Sequence, residues 1–254
     1  MSSPNPGRES LKAHIWKRYG GEEFVTDQSK GLPRPAPEKP FPEDARLIDL
    51  VDPKDLTVGD VSIRDVIRKR RSRRKFTDEP LSLEELSYLL WATQGVIKAA
   101  NLRDGVLTYR TVPAGGALQP FETYLAIDRV TGVEPGLYRY LPMEHKLFLI
   151  RSEPDLMERT AAGCAGQPFV GTSAVVFIWT CIPYRKEWRY GAASHKIIAQ
   201  DSGHLCQNLY LAAESIGAGT CAVGAYFQEE MDALLGVDGE EEFTIYVAPV
   251  GKIG

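Results

Sequence analysis

The chain has 254 residues, of which 43% are hydrophobic and 25% charged, with a net charge of −4: the make-up of one large globular domain. The acidic balance excludes a general nucleic-acid binder, so any local cluster of cations must serve a local purpose. No stretch reaches the ~18 uninterrupted apolar residues of a membrane span and the first residues carry no apolar signal core, so a soluble cytoplasmic protein is expected.

Residues 1–60 hold eight of the seventeen prolines, clustered in Pro33-Arg-Pro-Ala-Pro37-Glu-Lys-Pro40-Phe-Pro42. Proline fixes φ and removes a donor, so this stretch is neither continuous helix nor inner strand. The interspersed Trp16, Tyr19, Phe24, Phe41, Leu47, Ile48 and Leu50 predict an extension draped over the domain or a partner, because disordered arms carry few aromatics. Residues 61–254 are expected to form the main domain.

Ser62 to Arg70 reads as a short amphipathic helix with Ile63, Val66 and Ile67 on one face. It runs into Arg70-Arg71-Ser72-Arg73-Arg74-Lys75-Phe76, which places five cations within six residues. Guanidinium groups hold phosphate oxygens bidentately and a serine hydroxyl adds a donor, so an anion site is predicted here. A solvated basic turn is the plainer alternative. From Ser82 a second helix is signalled by a capping serine with a glutamate three residues on, and by Leu83, Leu86, Leu89, Leu90 and Val96.

The loop Arg110 to Glu122 contains Gly115 and Gly116 beside Ala114 and Ala117, so backbone N–H groups there can approach a flat or anionic ligand closely. A simple glycine turn is the competing reading. Strands are predicted at Phe121–Ile127, Gly136–Leu141, Lys146–Ile150, Ala174–Thr180 and Phe243–Pro249, with a hairpin through Pro142 to His145. A long helix, about Ala193 to Ile216, carries Ile198, Leu205, Leu209, Ala212 and Ile216 as its stripe. Ile197, Cys206, Tyr210, Leu211 and Ala213 make its other faces apolar, which predicts burial at a subunit interface. A third loop, Gly217 to Tyr226, strings small residues after that helix. It is neither a dinucleotide fingerprint nor a phosphate loop, and a glycine cap with a tight connection is its plain reading. His195 and His204 lack an i,i+4 partner, and Cys164, Cys181, Cys206 and Cys221 form no C-x-x-C pair, so no metal site and four buried thiols are expected.

Four motifs in order resemble the FMN-dependent nitroreductase superfamily, most closely its branch of azoline dehydrogenases, which oxidise azoline rings in peptide natural products. They are Arg70-Arg71-Ser72-Arg73-Arg74-Lys75-Phe76, Pro113-Ala114-Gly115-Gly116-Ala117-Leu118-Gln119-Pro120-Phe121-Glu122, Gln207-Asn208-Leu209-Tyr210-Leu211-Ala212-Ala213 and Gly217-Ala218-Gly219-Thr220-Cys221-Ala222-Val223-Gly224. The likeness covers about Ser62 to Lys252 and implies an α+β fold with a central, mainly antiparallel sheet flanked by helices, as an intertwined homodimer.

The resemblance also implies site roles. Arg70, Arg71, Ser72 and Arg74, with Lys252, would hold the FMN phosphate and ribityl chain. Pro113, Ala114, Gly115, Gly116 and Leu118 would pack against the flavin of the neighbouring subunit. The backbone of Ala222, Val223, Gly224 and Ala225 would flank the flavin N5 edge. The family branch is similar throughout in a Lys-Tyr pair proposed as a base; the matching residues here are Arg189-Tyr190, and arginine stays protonated. Tyr190 remains the candidate catalytic residue, as a proton donor or in orienting substrate, with a packing tyrosine at a helix start as the plain reading. The implied activity is two-electron transfer on a small-molecule or peptide-derived substrate, with NAD(P)H as a candidate reductant. A flavin-sequestering protein without turnover, its site plugged by the proline-rich arm or by Tyr226-Phe227, is the alternative.

Overall fold

The computed structural model describes residues 6–17 and 24–254, so Tyr19 lies outside the described residues. In chain order the elements are α1 (Pro6–Ser10), β1 (Leu47–Asp49), α2 (Ile63–Lys69), α3 (Leu83–Gln94), β2 (Val96–Leu102), β3 (Gly105–Arg110), β4 (Phe121–Ile127), β5 (Gly136–Leu141) and β6 (Lys146–Arg151). There follow α4 (Leu156–Gly163), α5 (Pro168–Gly171), β7 (Val175–Cys181), α6 (Tyr184–Tyr190), α7 (Ser194–Ser215), β8 (Ala218–Thr220), α8 (Gln228–Leu235) and β9 (Phe243–Lys252). One sheet runs in the order β1-β6-β5-β4-β7-β9-β8 with every neighbouring pair antiparallel, and β2 and β3 form a separate ribbon.

Every residue of β4 and β7 is buried, because helices cover both faces of the sheet's centre. Side chains alternate across a strand, so Leu125, Phe177 and Trp179 meet Leu86, Leu89 and Leu90 of α3 and Ile198, Leu205 and Leu209 of α7. Tyr124, Ala126, Val176 and Ile178 point the other way, onto Leu156, Val170, Met231, Leu234 and Leu235 from α4, α5 and α8. This is the α+β architecture with a central antiparallel sheet that the sequence led one to expect.

Local chemistry sets both boundaries of α3. Ser82 accepts from the Glu85 N–H at 3.1 Å while the Glu85 carboxylate accepts from the Ser82 N–H at 2.9 Å, a reciprocal cap that starts α3. α3 stops at Gln94 rather than running on to Val96: Gly95 leaves helical geometry, and the Trp91 side chain fills the space where a Cβ would stand. Val96 opens β2 instead. In α2 only Val66 is buried, whereas Ile63 and Ile67 are 61% and 59% exposed, so most of the expected apolar face is uncovered within one chain. α7 buries Ile198, Leu205, Cys206, Leu209, Ala212 and Ala213, but Ala199, Gly203 and Gln207 are exposed, so the helix is covered on one side and not all round.

The segment from residue 24 to residue 60 crosses the end of the sheet. Leu47–Asp49 pairs with β6, and the Trp188 indole donates to the Leu32 carbonyl at 3.1 Å. Arg110 donates to the Pro37 carbonyl at 2.7 Å, and Arg139 to the Lys39 and Pro40 carbonyls at 3.0 and 2.8 Å. These bonds supply proline-rich backbone, which has few donors of its own, with partners for its carbonyls. Lys39 reaches into the sheet and pairs with Glu242, which also accepts from the Thr180 and Tyr124 hydroxyls.

Candidate functional site

The basic turn is wired to the end of α7. Ser72 makes a parallel bridge to Thr220 of β8, and the Arg73 N–H donates to the Thr220 carbonyl at 2.9 Å. The Ser72 hydroxyl lies 3.0 Å from the Tyr210 hydroxyl, which also accepts the Ala222 N–H at 2.8 Å, and the Arg70 guanidinium stands 5.2 Å over the Tyr210 ring. Tyr210 therefore joins the cationic arm to the third small-residue loop. In the sequence Tyr210 stands on an apolar helix face and within the motif Gln207-Asn208-Leu209-Tyr210, and only that motif hints at a site role.

The cations of the turn are not equivalent. Arg71 is exposed and donates to the Arg68 and Arg70 carbonyls at 2.9 and 2.8 Å, satisfying the C-terminus of α2. Arg74 stands 5.7 Å over the Phe169 ring, and Arg73 pairs with Glu214 at 3.7 Å. Lys252 is nearly buried, pairs with Glu85 and donates to the Ile216 carbonyl at 3.3 Å, so its charge is already met within the chain.

In the loop after strand β8, the Val223 N–H donates to the Val247 carbonyl at 2.7 Å and the Ala222 N–H is taken by Tyr210. Gly224 and Ala225 are exposed, and among the described residues no acceptor meets their N–H groups. Gly224 lines a cavity of about 300 Å³ together with Ala199, Ser202, Gly203, Tyr226, Ile245 and Tyr246. A Cβ on Gly203 or on Gly224 would meet nothing within 4 Å. Glycine inside a helix costs about 1 kcal/mol relative to alanine, so Gly203 leaves space that the chain itself does not fill.

The loop 113–118 lies against the other half of α7. Its Gly115 N–H donates to Asp201 and its carbonyl accepts from Lys186 at 2.9 Å. Gly116 has φ +65°, and the Tyr190 hydroxyl occupies the position a Cβ there would take. Leu118 is 5% exposed and turned into the chain's own interior, so Pro113 to Ala117 are what this loop presents outward. Tyr190 closes α6 rather than opening a helix, with Gly191 at φ +46° ending the turn. Its ring meets Trp16 edge-on at 6.1 Å and carries the Arg189 guanidinium at 5.5 Å.

His195 contacts Glu187 at 2.8 Å and His204 lies 3.6 Å from Asp201, and among the described residues no three His, Cys, Asp or Glu side chains converge to hold a metal. All four cysteines are free and buried, as their spacing implied, and burial pushes the Cys164, Cys181 and Cys206 thiols up to about 12. Thiols held neutral in this way are poor nucleophiles. Burial also lowers Lys186, an effect that Asp201 opposes.

Residues 67–252 match the Nitroreductase family. A Methanocaldococcus jannaschii protein with a provisional nitroreductase name is 33% identical over 195 residues, which cover 77% of this chain and 93% of that one. The trifolitoxin-processing protein TfxB of Rhizobium leguminosarum bv. trifolii is 31% identical over 146 residues, 54% of this chain but only 38% of TfxB. Among solved structures, a Ralstonia eutropha JMP134 protein, also provisionally named a nitroreductase, matches with a TM-score of 0.66 and 28% identity over 88% of this chain and 95% of its own. A chain of the E. coli microcin synthetase McbBCD complex with truncated pro-MccB17 bound shares the fold, with a TM-score of 0.59 and 19% identity over 97% of this chain and 94% of that one. The family match runs from inside α2 to the end of β9 and takes in the basic turn, both small-residue loops and Tyr190, so the chain belongs to the nitroreductase family of oxidoreductases.

Proposed function

We propose that this oxidoreductase works with FMN, and that two copies of the chain pair so that the loop 113–117 of one serves the flavin held by the other. The carrying observation is the open pair of N–H groups at Gly224 and Ala225, set beside a cavity whose glycines leave it unfilled. Through Tyr210 this cavity wall is tied to Arg70 and Ser72, the donors suited to a phosphate. These features fit a cofactor with a planar, polar-edged ring and an anionic tail.

FMN, when bound, accepts a hydride equivalent from one substrate and delivers it to the next. The chain's part is to hold and to shield. Arg70, Arg71 and Arg74 would bind the phosphate, while the Gly224 and Ala225 N–H groups would donate to the ring edge where negative charge develops. Lys252 would act indirectly, by fixing Glu85 and the end of α7, since its ammonium is already engaged. Tyr190, held at Gly116, would donate or take a proton at substrate. The exposed Ile63, Ile67 and Val61 next to the groove of Tyr88, Trp91 and Leu211 would be covered by the second copy.

The purified protein should be yellow, with one FMN per chain; a colourless protein that takes up no added FMN overturns the proposal. Anaerobic addition of NAD(P)H should bleach the flavin if a nicotinamide is the donor. Bleaching by an azoline-bearing peptide alone identifies a peptide-oxidising enzyme, the reading favoured by the likeness to TfxB. The guanidinium of Arg189 over the Tyr190 ring, where a base would need a side chain that gives up its proton readily, weighs against that chemistry. Trp16 against Tyr190 favours a second reading, a flavin-holding protein without turnover. Tight FMN retention with no acceptor reduced would establish it.

A further inference from the structure

Gly115 is gripped on both of its backbone polar groups by one buried ion pair. Its N–H donates to Asp201 of α7 at 3.1 Å to Oδ2 and 3.3 Å to Oδ1, and its carbonyl accepts from Lys186 Nζ of α6 at 2.9 Å. Lys186 and Asp201 pair at 2.5 Å, with side chains 0% and 4% exposed. Ile197 Cγ2 lies 2.6 Å from where a Cβ on Gly115 would stand, so residue 115 must be glycine for the grip to close. The next residue, Gly116, is the one whose missing side chain admits the Tyr190 hydroxyl.

A buried ion pair adds little net stability, because desolvation offsets most of its attraction. Two apolar side chains would fill the space between α6 and α7 at no greater cost. What only a donor and an acceptor together can do is hold one residue by both of its backbone polar groups, and so fix the two peptide units that meet at it.

We propose that Lys186 and Asp201 are positioning residues, a clasp that fixes the backbone on both sides of Gly115 and thereby the placement of the Tyr190 hydroxyl at Gly116 for the reaction. This rests on the flavin-dependent reading above. The clasp acts through the loop and touches no reacting atom. Neither Lys186 nor Asp201 belongs to any of the four motifs that signal the family in this sequence.

The test uses the full-length protein as purified, with Lys186→Met, Asp201→Asn and the double variant Lys186→Met/Asp201→Leu. The double variant replaces the ion pair with an apolar one and so keeps α6 packed on α7 if either single variant fails to fold. Hydrogen exchange is followed at the Gly115 amide, with α3 amides as the internal reference, and needs no cofactor. The double variant, which leaves the Gly115 N–H without an acceptor, should speed Gly115 exchange about tenfold or more while α3 is unchanged, with smaller effects in the single variants, since Lys186→Met keeps Asp201 and Asp201→Asn keeps one acceptor oxygen. Unaltered Gly115 exchange overturns the clasp, whether or not the protein binds FMN.

With FMN bound at saturation, the variants should lose about tenfold to a hundredfold in kcat with little change in KM. Faster exchange with unchanged kcat and unchanged flavin absorbance would reduce the pair to a structural role and overturn the positioning claim. A wild type that binds no FMN defeats the flavin reading separately.

Discussion

The Tyr210 hydroxyl accepts the Ala222 N–H at 2.8 Å and lies 3.0 Å from the Ser72 hydroxyl, so a single oxygen joins the basic turn to the loop after β8. Tyr210→Phe keeps the ring under Arg70 but leaves the Ala222 N–H without its acceptor. Leaving such a donor unmet costs about 1–3 kcal/mol, towards the lower end at this half-buried position. The denaturant midpoint should fall accordingly, and FMN affinity should fall with it, since both walls of the cofactor site move together. A variant with lowered stability and full FMN affinity would show that the two loops bind independently.

Arg71→Ala should weaken FMN about tenfold or more, from one lost charge-assisted hydrogen bond of about 1.5–3 kcal/mol when desolvated. Arg71 is exposed without cofactor, so the loss should shrink as salt is raised. Fluorescence titration of FMN at two ionic strengths measures both effects. Unchanged affinity would move the phosphate to the other cations of the turn.

Arg189 carries a fixed charge over the Tyr190 ring. With Arg189→Lys a group able to lose its proton replaces one that cannot. The pH–rate profile of flavin reduction by an organic substrate should gain an alkaline-rising limb in the variant that the wild type lacks. Superimposable profiles would remove this position from the proton path.

Glu38 gives a stability effect with a definite sign. Burial, with Glu144 and Glu122 nearby, pushes its carboxyl from 4.5 up to about 8. Between these two values the unfolded chain has lost the proton and the folded chain still holds it, so stability falls as pH rises through the window and levels off above it. Below 4.5 both states are protonated and the contribution is fully present. Glu38→Gln should flatten the decline and be more stable than wild type near pH 8, as measured by urea unfolding at pH 5 and pH 8. Parallel pH dependence in the two proteins would contradict this.

The strands at the centre of the sheet were readable because their pattern is dense. Phe121–Ile127 and Gly136–Leu141 fall where the apolar runs begin and end. α7 starts and stops within one residue of its expected bounds, since its stripe is long and Gly217 follows it. The β2–β3 ribbon escaped notice: Ile97, Lys98, Ala99, Asn101 and Leu102 are all exposed, so no alternation marks a strand there. The clasp on Gly115 was equally hidden. A lysine in Tyr184-Arg-Lys-Glu-Trp188 looks like any solvated cation, and only the approach of α6 to α7 buries it. The cation turn was legible as charge, but Lys252 showed nothing of its pairing with Glu85, which lies 167 positions away.

The two borders of the main sheet are each finished by a scrap of the first third of the chain: three residues of β1 along β6, and Ser72 alone along β8. Short outermost pieces offer too few free backbone groups to template further pairing. Among the described residues the sheet thus offers a neighbour's strand little to pair with at either border. Removing residues 1–50 would strip β1 from one border and leave β6 as a six-residue edge strand, the kind of edge that invites pairing between copies and aggregation.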